Sequence, residues 1–283
     1  MTAADRPAPL KAAGWAGLYL GTGFALTLLL SLGGALLTGG LDPQGPRLLV
    51  LQTVSGLVAY GFLTWAVGFK GLGLTLADLR WTPLRGAGRG FSLGLLLGAV
   101  PAMLALGLSL VVGHASFLPD TGNAASYFAQ LGRTALLLAP AALLEEIMFR
   151  GVAQVILARA LGRILTIVIL SVTFAAAHLL NPNGTILGFL NIALAGMLLG
   201  LAFYAPGGIW TSWGVHLGWN GALAALDAPV SGLPFRIPLI DYAPGGPSWL
   251  TGGPFGPEGG LLATLTILLA TGAAWRWSGK ELA

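Results

Sequence analysis

Residues 143–150 read Leu-Leu-Glu-Glu-Ile-Met-Phe-Arg, and they interrupt a run that is otherwise apolar. ALLLAPAALL leads into them from Ala135, and VAQVILA follows from Val152. An ionisable side chain at the centre of a bilayer costs about 2.5–3.5 kcal/mol even on the gentler insertion scales. Three such residues within six positions must find their compensation inside the protein. Glu146 and Arg150 are four apart, share a helix face and can pair. Glu145 points elsewhere on the helix and has no cation so well placed. This spacing predicts that Glu146–Arg150 is scaffold and that Glu145 is free for chemistry.

The rest of the chain makes the membrane setting hard to avoid. Of its 283 residues 55% are hydrophobic and 8% charged, and its mean hydropathy is +0.82. Soluble domains carry about 25% charged residues. The formal net charge of +4 comes from few charges in total and suits anchoring of cytoplasmic loops rather than nucleic-acid binding. The absence of cysteine excludes disulfides, thiolate metal sites and a cysteine nucleophile. Arg6 and Lys11 precede an apolar stretch too long for a signal-peptide core, which reads as a retained first span.

A span needs about 20 apolar residues. Eight stretches qualify as expected spans: 13–37, 48–69, 91–112, 134–158, 164–180, 186–204, 209–226 and 260–275. The predicted class is an all-α polytopic membrane protein, one integral membrane domain over 1–283, with about eight transmembrane helices around an intramembrane polar cavity. Between the second and third stretches, Leu79 and Trp81 suggest a short interfacial helix at the headgroups. The Pro- and Gly-rich segment 227–259 reads as a long, functional or disordered loop. Lys11, Lys70, Arg80, Arg85, Arg89, Arg159, Arg163, Arg276 and Lys280 all fall on one face of this arrangement. By the positive-inside rule both termini are cytoplasmic.

Two further stretches hold unusual polar residues. Phe174-x-x-x-His178 and His216-x-x-x-Asn220 each place two members on one helix face. A lone intramembrane His or Asn often only hydrogen-bonds a neighbouring helix, and a Glu–Arg pair can be purely structural. Two carboxylates, two imidazoles and an amide on three spans point instead to one polar cavity. Asn191 and Gln154 read as packing polars, Trp213 and Trp219 as packing or interface anchors, and Glu258 as favouring a helix N-terminus. Neither His216 nor Asn220 has an acid beside it in the sequence. There is no zinc helix of the H-E-x-x-H type and no nucleophile elbow, and Ser212 lacks a base–orienter pair. A carboxylate with a histidine suits activation of water, and a second histidine with an asparagine suits stabilisation of an oxyanion. That is the logic of amide hydrolysis. A transporter using the same groups as a proton relay is the rival reading.

At these residues the chain resembles the CAAX-protease and bacteriocin-processing (CPBP, or Abi) family of intramembrane endopeptidases. The resemblance rests on Glu145-Glu146-x-x-x-Arg150, Phe174-x-x-x-His178 and His216-x-x-x-Asn220, in that order on separate spans. It implies a motif-bearing catalytic core over 134–226. It implies that Glu145 and His178 activate water, that His216 and Asn220 stabilise the oxyanion, and that Glu146, Arg150 and Phe174 support the site. It also implies a membrane-embedded or lipid-anchored peptide substrate, CAAX-like or a leader peptide, and residence in a bacterial cytoplasmic membrane. Members that serve in bacteriocin immunity add a non-proteolytic alternative. The family has been read both as glutamic and as metal-dependent proteases. No metal cofactor is favoured here, because the histidines lie on separate spans and Arg150 disfavours a dication. Were zinc bound, Glu145, His178 and His216 would be its ligands.

Overall fold

The computed structural model describes residues 7–38, 40, 46–81 and 83–282; Arg6 lies outside them. The architecture is helical. Its elements are α1 (Pro9–Leu37), α2 (Pro46–Leu63), α3 (Leu84–Val111), α4 (Ala124–Arg150), α5 (Val152–Leu161), α6 (Arg163–Ala177), α7 (Ile186–Tyr204), α8 (Ile209–Ala225), the short α9 (Ser248–Thr251) and α10 (Leu261–Leu282). A π-helical segment, Thr64–Gly71, prolongs α2. One antiparallel ribbon pairs β1 (Ser116–Pro119) with β2 (Ile240–Ala243), Ser116 opposite Ala243.

Four helices among the described residues are long and apolar enough to cross a membrane: Pro9–Leu37, Arg47–Gly71, Gly86–Val111 and Ile186–Tyr204. The chain is thus an integral membrane protein, but eight spans do not follow from length and composition alone. The stretches carrying the motifs are the ones that depart from expectation. The run over 134–158 divides at Gly151, between α4 and α5. A Cβ at Gly151 would stand 2.4 Å from the Ile147 carbonyl oxygen, so only glycine turns the chain immediately after Arg150. α6 is 15 residues long and stops at Ala177, leaving His178 as its C-cap. The interfacial helix expected near Leu79 and Trp81 does not form: Leu79 is buried in the core, and Trp81 bridges to Gly208 and meets Trp210 edge-on at 5.3 Å.

The closest helix contact joins α3 to α8. Gly90, Gly94 and Gly98 repeat every fourth residue on α3, and Gly214 and Gly218 do so on α8. A Cβ on Gly98 would lie 2.0 Å from the Val215 carbonyl oxygen, and one on Gly218 would lie 2.2 Å from that of Leu95. The two backbones touch through small residues, as close-packed membrane helices do. This contact fixes the rotation of α8 and therefore the direction of its polar side chains.

Opposite ends of the molecule gather different segments. At one end Arg80 reaches the α7 C-terminus, donating to the Phe203 carbonyl oxygen at 2.9 Å, and Arg159 pairs with Asp78. At the other, the β1–β2 ribbon joins the loop after α3 to the segment after α8. The segment 227–259 is not open throughout: most of 251–260 is buried, while 246–249 is exposed. Asn191 on α7 donates to the carbonyl oxygens of Glu258 and Gly260 at 2.7 and 2.9 Å and accepts from Thr264 at 2.7 Å.

Candidate active site

α4 delivers Glu145, Glu146 and Arg150 to the centre of the helix cluster. Glu146 and Arg150 are both buried, and their ion pair spans 3.4 Å. The remaining capacity of each is used locally. Arg150 donates to the Gly196 carbonyl oxygen at 3.1 Å, and its guanidinium lies 4.7 Å from the Phe174 ring centre. Glu146 Oε1 accepts from His216 Nδ1 at 2.8 Å, and Oε2 accepts from the Ser212 hydroxyl. Glu146 thereby joins α4 to α8 through two side chains one helical turn apart. A buried carboxylate with this many donors is compensated in the way a low-dielectric interior requires.

Glu145 sits differently. Its side chain is 31% exposed. Its Oε2 is nevertheless shut off from solvent and has no hydrogen-bond partner among the described residues. That atom stands 3.6 Å from His216 Nε2 and 3.9 Å from His178 Nε2. Both imidazoles are held from behind. His178 Nδ1 lies 2.8 Å from the Phe174 carbonyl oxygen, so in this network Nδ1 carries the proton and Nε2 presents a lone pair. His216 Nδ1 donates to Glu146. The Phe174 ring packs on both, 4.6 Å from His178 and 6.0 Å from His216 between ring centres. Phe174 thus fills the wall between the histidines, and Phe149 backs it edge-on at 5.3 Å.

Glu145, Glu146, Arg150, Phe174, His178 and His216 therefore converge. Asn220 lies one turn beyond His216 on α8, half-buried and without a side-chain hydrogen bond among the described residues. His216 does have acids beside it, contrary to the sequence reading, because both come from α4, some seventy residues away in the chain.

Three residues take roles that the sequence reading missed. Ser212 has no base to activate it as a nucleophile; it braces Glu146 and lies 2.9 Å from the Leu199 carbonyl oxygen. Its position four residues before His216, on the same face, was the available signal. Trp219 packs in the core, one of the two roles expected of it, and its indole N–H also donates to Glu258 Oε1 at 2.7 Å. Glu258 is buried and accepts also from the Ser231 hydroxyl at 2.9 Å and from the Ser231 backbone N–H. It serves as an acceptor for α8 and for the long loop, and it sits as expected at a helix start, in the single 3-10 turn Pro257–Gly259 just before α10. Nothing local to Glu258 reveals this, because the folding of a Pro- and Gly-rich loop is set by the surfaces it meets. Gln154 behaves as expected, donating to the Gly200 carbonyl oxygen at 3.3 Å.

Two histidines and a glutamate are a donor set that catalytic zinc sites use. Neighbouring ligands of a tetrahedral zinc with bonds of 2.0–2.1 Å stand about 3.3 Å apart. The two separations from Glu145 Oε2 exceed that, and no group of three or more His, Cys, Asp or Glu among the described residues is placed to hold a metal ion.

Comparison with known proteins agrees with the motifs. Residues 127–222 match the model of a family described as Rce1-like, type II CAAX prenyl endopeptidase Rce1-like. The match runs from the second turn of α4 to the last turn of α8 and includes every converging residue. No curated protein and no solved structure matches the chain. The likeness to the CPBP family read from three short motifs is thereby borne out over about a third of the chain.

Proposed function

We propose that this chain, whose residues 127–222 carry the Rce1-like core of the CPBP family, is an intramembrane endopeptidase that hydrolyses a peptide bond of a membrane-associated, CAAX-like substrate. The observation that carries the reading is the position of Glu145 Oε2 between two imidazole Nε2 atoms whose rings are fixed from behind. A water held by Glu145 and the bare Nε2 of His178 loses a proton to Glu145 as its oxygen attacks the scissile carbonyl carbon. His216, flanked by two carboxylates, acts as a charged donor through Nε2–H. Together with the Asn220 amide it meets the oxyanion. Collapse expels the amine, which takes the proton from Glu145. Glu146, Arg150, Ser212 and Phe174 hold these groups in place.

The water-activating step needs no metal, and we assign the glutamic type. The catalytic unit is the segment 134–226 within a single membrane domain. Its eight apolar stretches, α4 and α5 together counting as one, cross a bacterial cytoplasmic membrane with both termini on the cytoplasmic side. Reporter fusions after Lys280 and near Asp241 should then report opposite sides; the same side would refute the orientation. The transporter and immunity alternatives gain nothing from the family match.

The test is cleavage of lipidated CAAX-type peptides by the purified protein in liposomes. Glu145→Gln should lower turnover by about 10²–10⁴-fold, the usual worth of a general base, at unchanged thermal stability. Wild-type turnover in that variant would refute the role. Activity should survive exhaustive chelation. Stoichiometric zinc, with activity lost on its removal and restored by zinc alone, would make Glu145, His178 and His216 ligands instead.

A further inference from the structure

A second polar site lies away from the histidines, at the end of the molecule where Arg80, Arg159 and Arg163 gather. They line a cavity of about 330 Å³ together with Asp78, Gly162 and Tyr204. Asp78 is the acid in this wall. Hydrogen bonds from the Thr75 hydroxyl and backbone, at 2.7 and 2.8 Å, and the guanidinium of Arg159 hold its carboxyl below the usual carboxylate range. It is therefore ionised at neutral pH and offsets the charge of Arg159.

The three arginines are not equally engaged. Arg159 pairs with Asp78, and Arg80 caps the last carbonyls of α7. Arg163 has its guanidinium 5.3 Å from the Tyr204 ring centre and no hydrogen bond or ion pair among the described residues. A planar fork of five donors, with its positive charge, thus faces the cavity. Such a cavity suits a phosphate group.

Its surroundings say which kind. Immediately beyond Arg163, the α6 residues Ile164, Leu165 and Val168 are 43%, 50% and 40% exposed. The cationic cavity therefore opens beside an apolar helix face. We propose that this cavity binds the phosphodiester headgroup of an anionic glycerophospholipid, with the acyl chains lying along the exposed face of α6. Basic pockets between helices on the cytoplasmic side recognise lipid headgroups in this way. The site is independent of the proposed proteolysis.

The experiment is native mass spectrometry and thermal denaturation of the detergent-solubilised full chain. It is titrated separately with short-chain phosphatidylglycerol, phosphatidylcholine and inorganic phosphate. Phosphatidylglycerol should stabilise the protein saturably, phosphatidylcholine should not, and the effect should shrink as salt rises from about 50 to about 500 mM. Arg163→Gln should weaken phosphatidylglycerol binding about tenfold, the loss of one charge-assisted hydrogen bond. Arg163→Lys should fall between, and Arg133→Gln, remote from the cavity, should match wild type. Equal stabilisation by the two lipids, a salt-independent effect, or unchanged affinity in Arg163→Gln would overturn the site. Saturable binding of inorganic phosphate that displaces phosphatidylglycerol would overturn the lipid and leave a free phosphate as the ligand. The salt series on wild type decides the matter even if Arg163→Gln fails to fold.

Discussion

α1 and α8 are both apolar by composition, yet they face their surroundings in opposite ways. α1 is the longest helix, at 29 residues, and only 17% of its most apolar window is buried. Leu28, Leu29, Leu30 and Leu32 all look outward. α8 has 17 residues and buries Thr211, Ser212, Gly214, His216, Gly218 and Trp219. Lipid tails are as apolar as leucine, so greasy side chains gain little by being buried against other helices. Small and polar residues gain by leaving the lipid, because only the protein interior offers close approach and hydrogen-bond partners. A helix that hydropathy finds at once can therefore have little to do, and a helix that builds the site falls short of a span by length.

The sharpest way to break this contrast is to remove Glu146. Glu146→Ala leaves Arg150 buried without its partner, at about 3–5 kcal/mol, and unties Ser212 and His216 at the same stroke. Thermal stability and folded yield should fall together; a variant as stable as wild type would show that the pair is ornamental. Asn220→Ala comes next and acts on chemistry. Losing one oxyanion donor costs about 10²–10³ in turnover, so kcat should drop with KM nearly unchanged. A rise in KM alone would remove Asn220 from the transition state. The smallest effects test the two helices directly. Gly98→Ala puts a methyl where the Val215 carbonyl oxygen stands 2.0 Å away and should cost about 1–3 kcal/mol through overpacking. Leu29→Ala on α1 should stay within about 0.5 kcal/mol. Equal losses, measured by denaturation in the same detergent, would erase the distinction between lipid-facing and site-building helices.

The sequence made the membrane class legible, because hydropathy alone separates this chain from soluble domains. It also made the members of the site legible, since ionisable residues in an apolar run have few innocent explanations. The i,i+4 spacing foretold the Glu146–Arg150 pair and the return of His178 to Phe174, both local facts. Helix ends were harder. Gly151 and Ala177 end their helices because of backbone approach and packing that no hydropathy window registers. The glycine repeats on α3 and α8 were in plain view, but their meaning depends on the two helices being neighbours. The acids beside His216, the indole bond of Trp219 and the burial of Glu258 are long-range, and a single sequence carries no signal for such pairings.

Glu258 also dictates an order of events during biosynthesis. Its carboxylate accepts from Trp219 and from Ser231, residues 39 and 27 positions earlier in the chain. A ribosome that has just released α8 into the membrane has made every residue named in the site. The Trp219 N–H must nonetheless wait in hydrocarbon until Glu258 emerges. Leaving such a donor unpaired costs about 1–3 kcal/mol. The nascent protein is thus held short of its finished geometry while the segment after α8 is still being translated. The packing around α8 is therefore complete only once the chain has been made as far as Glu258.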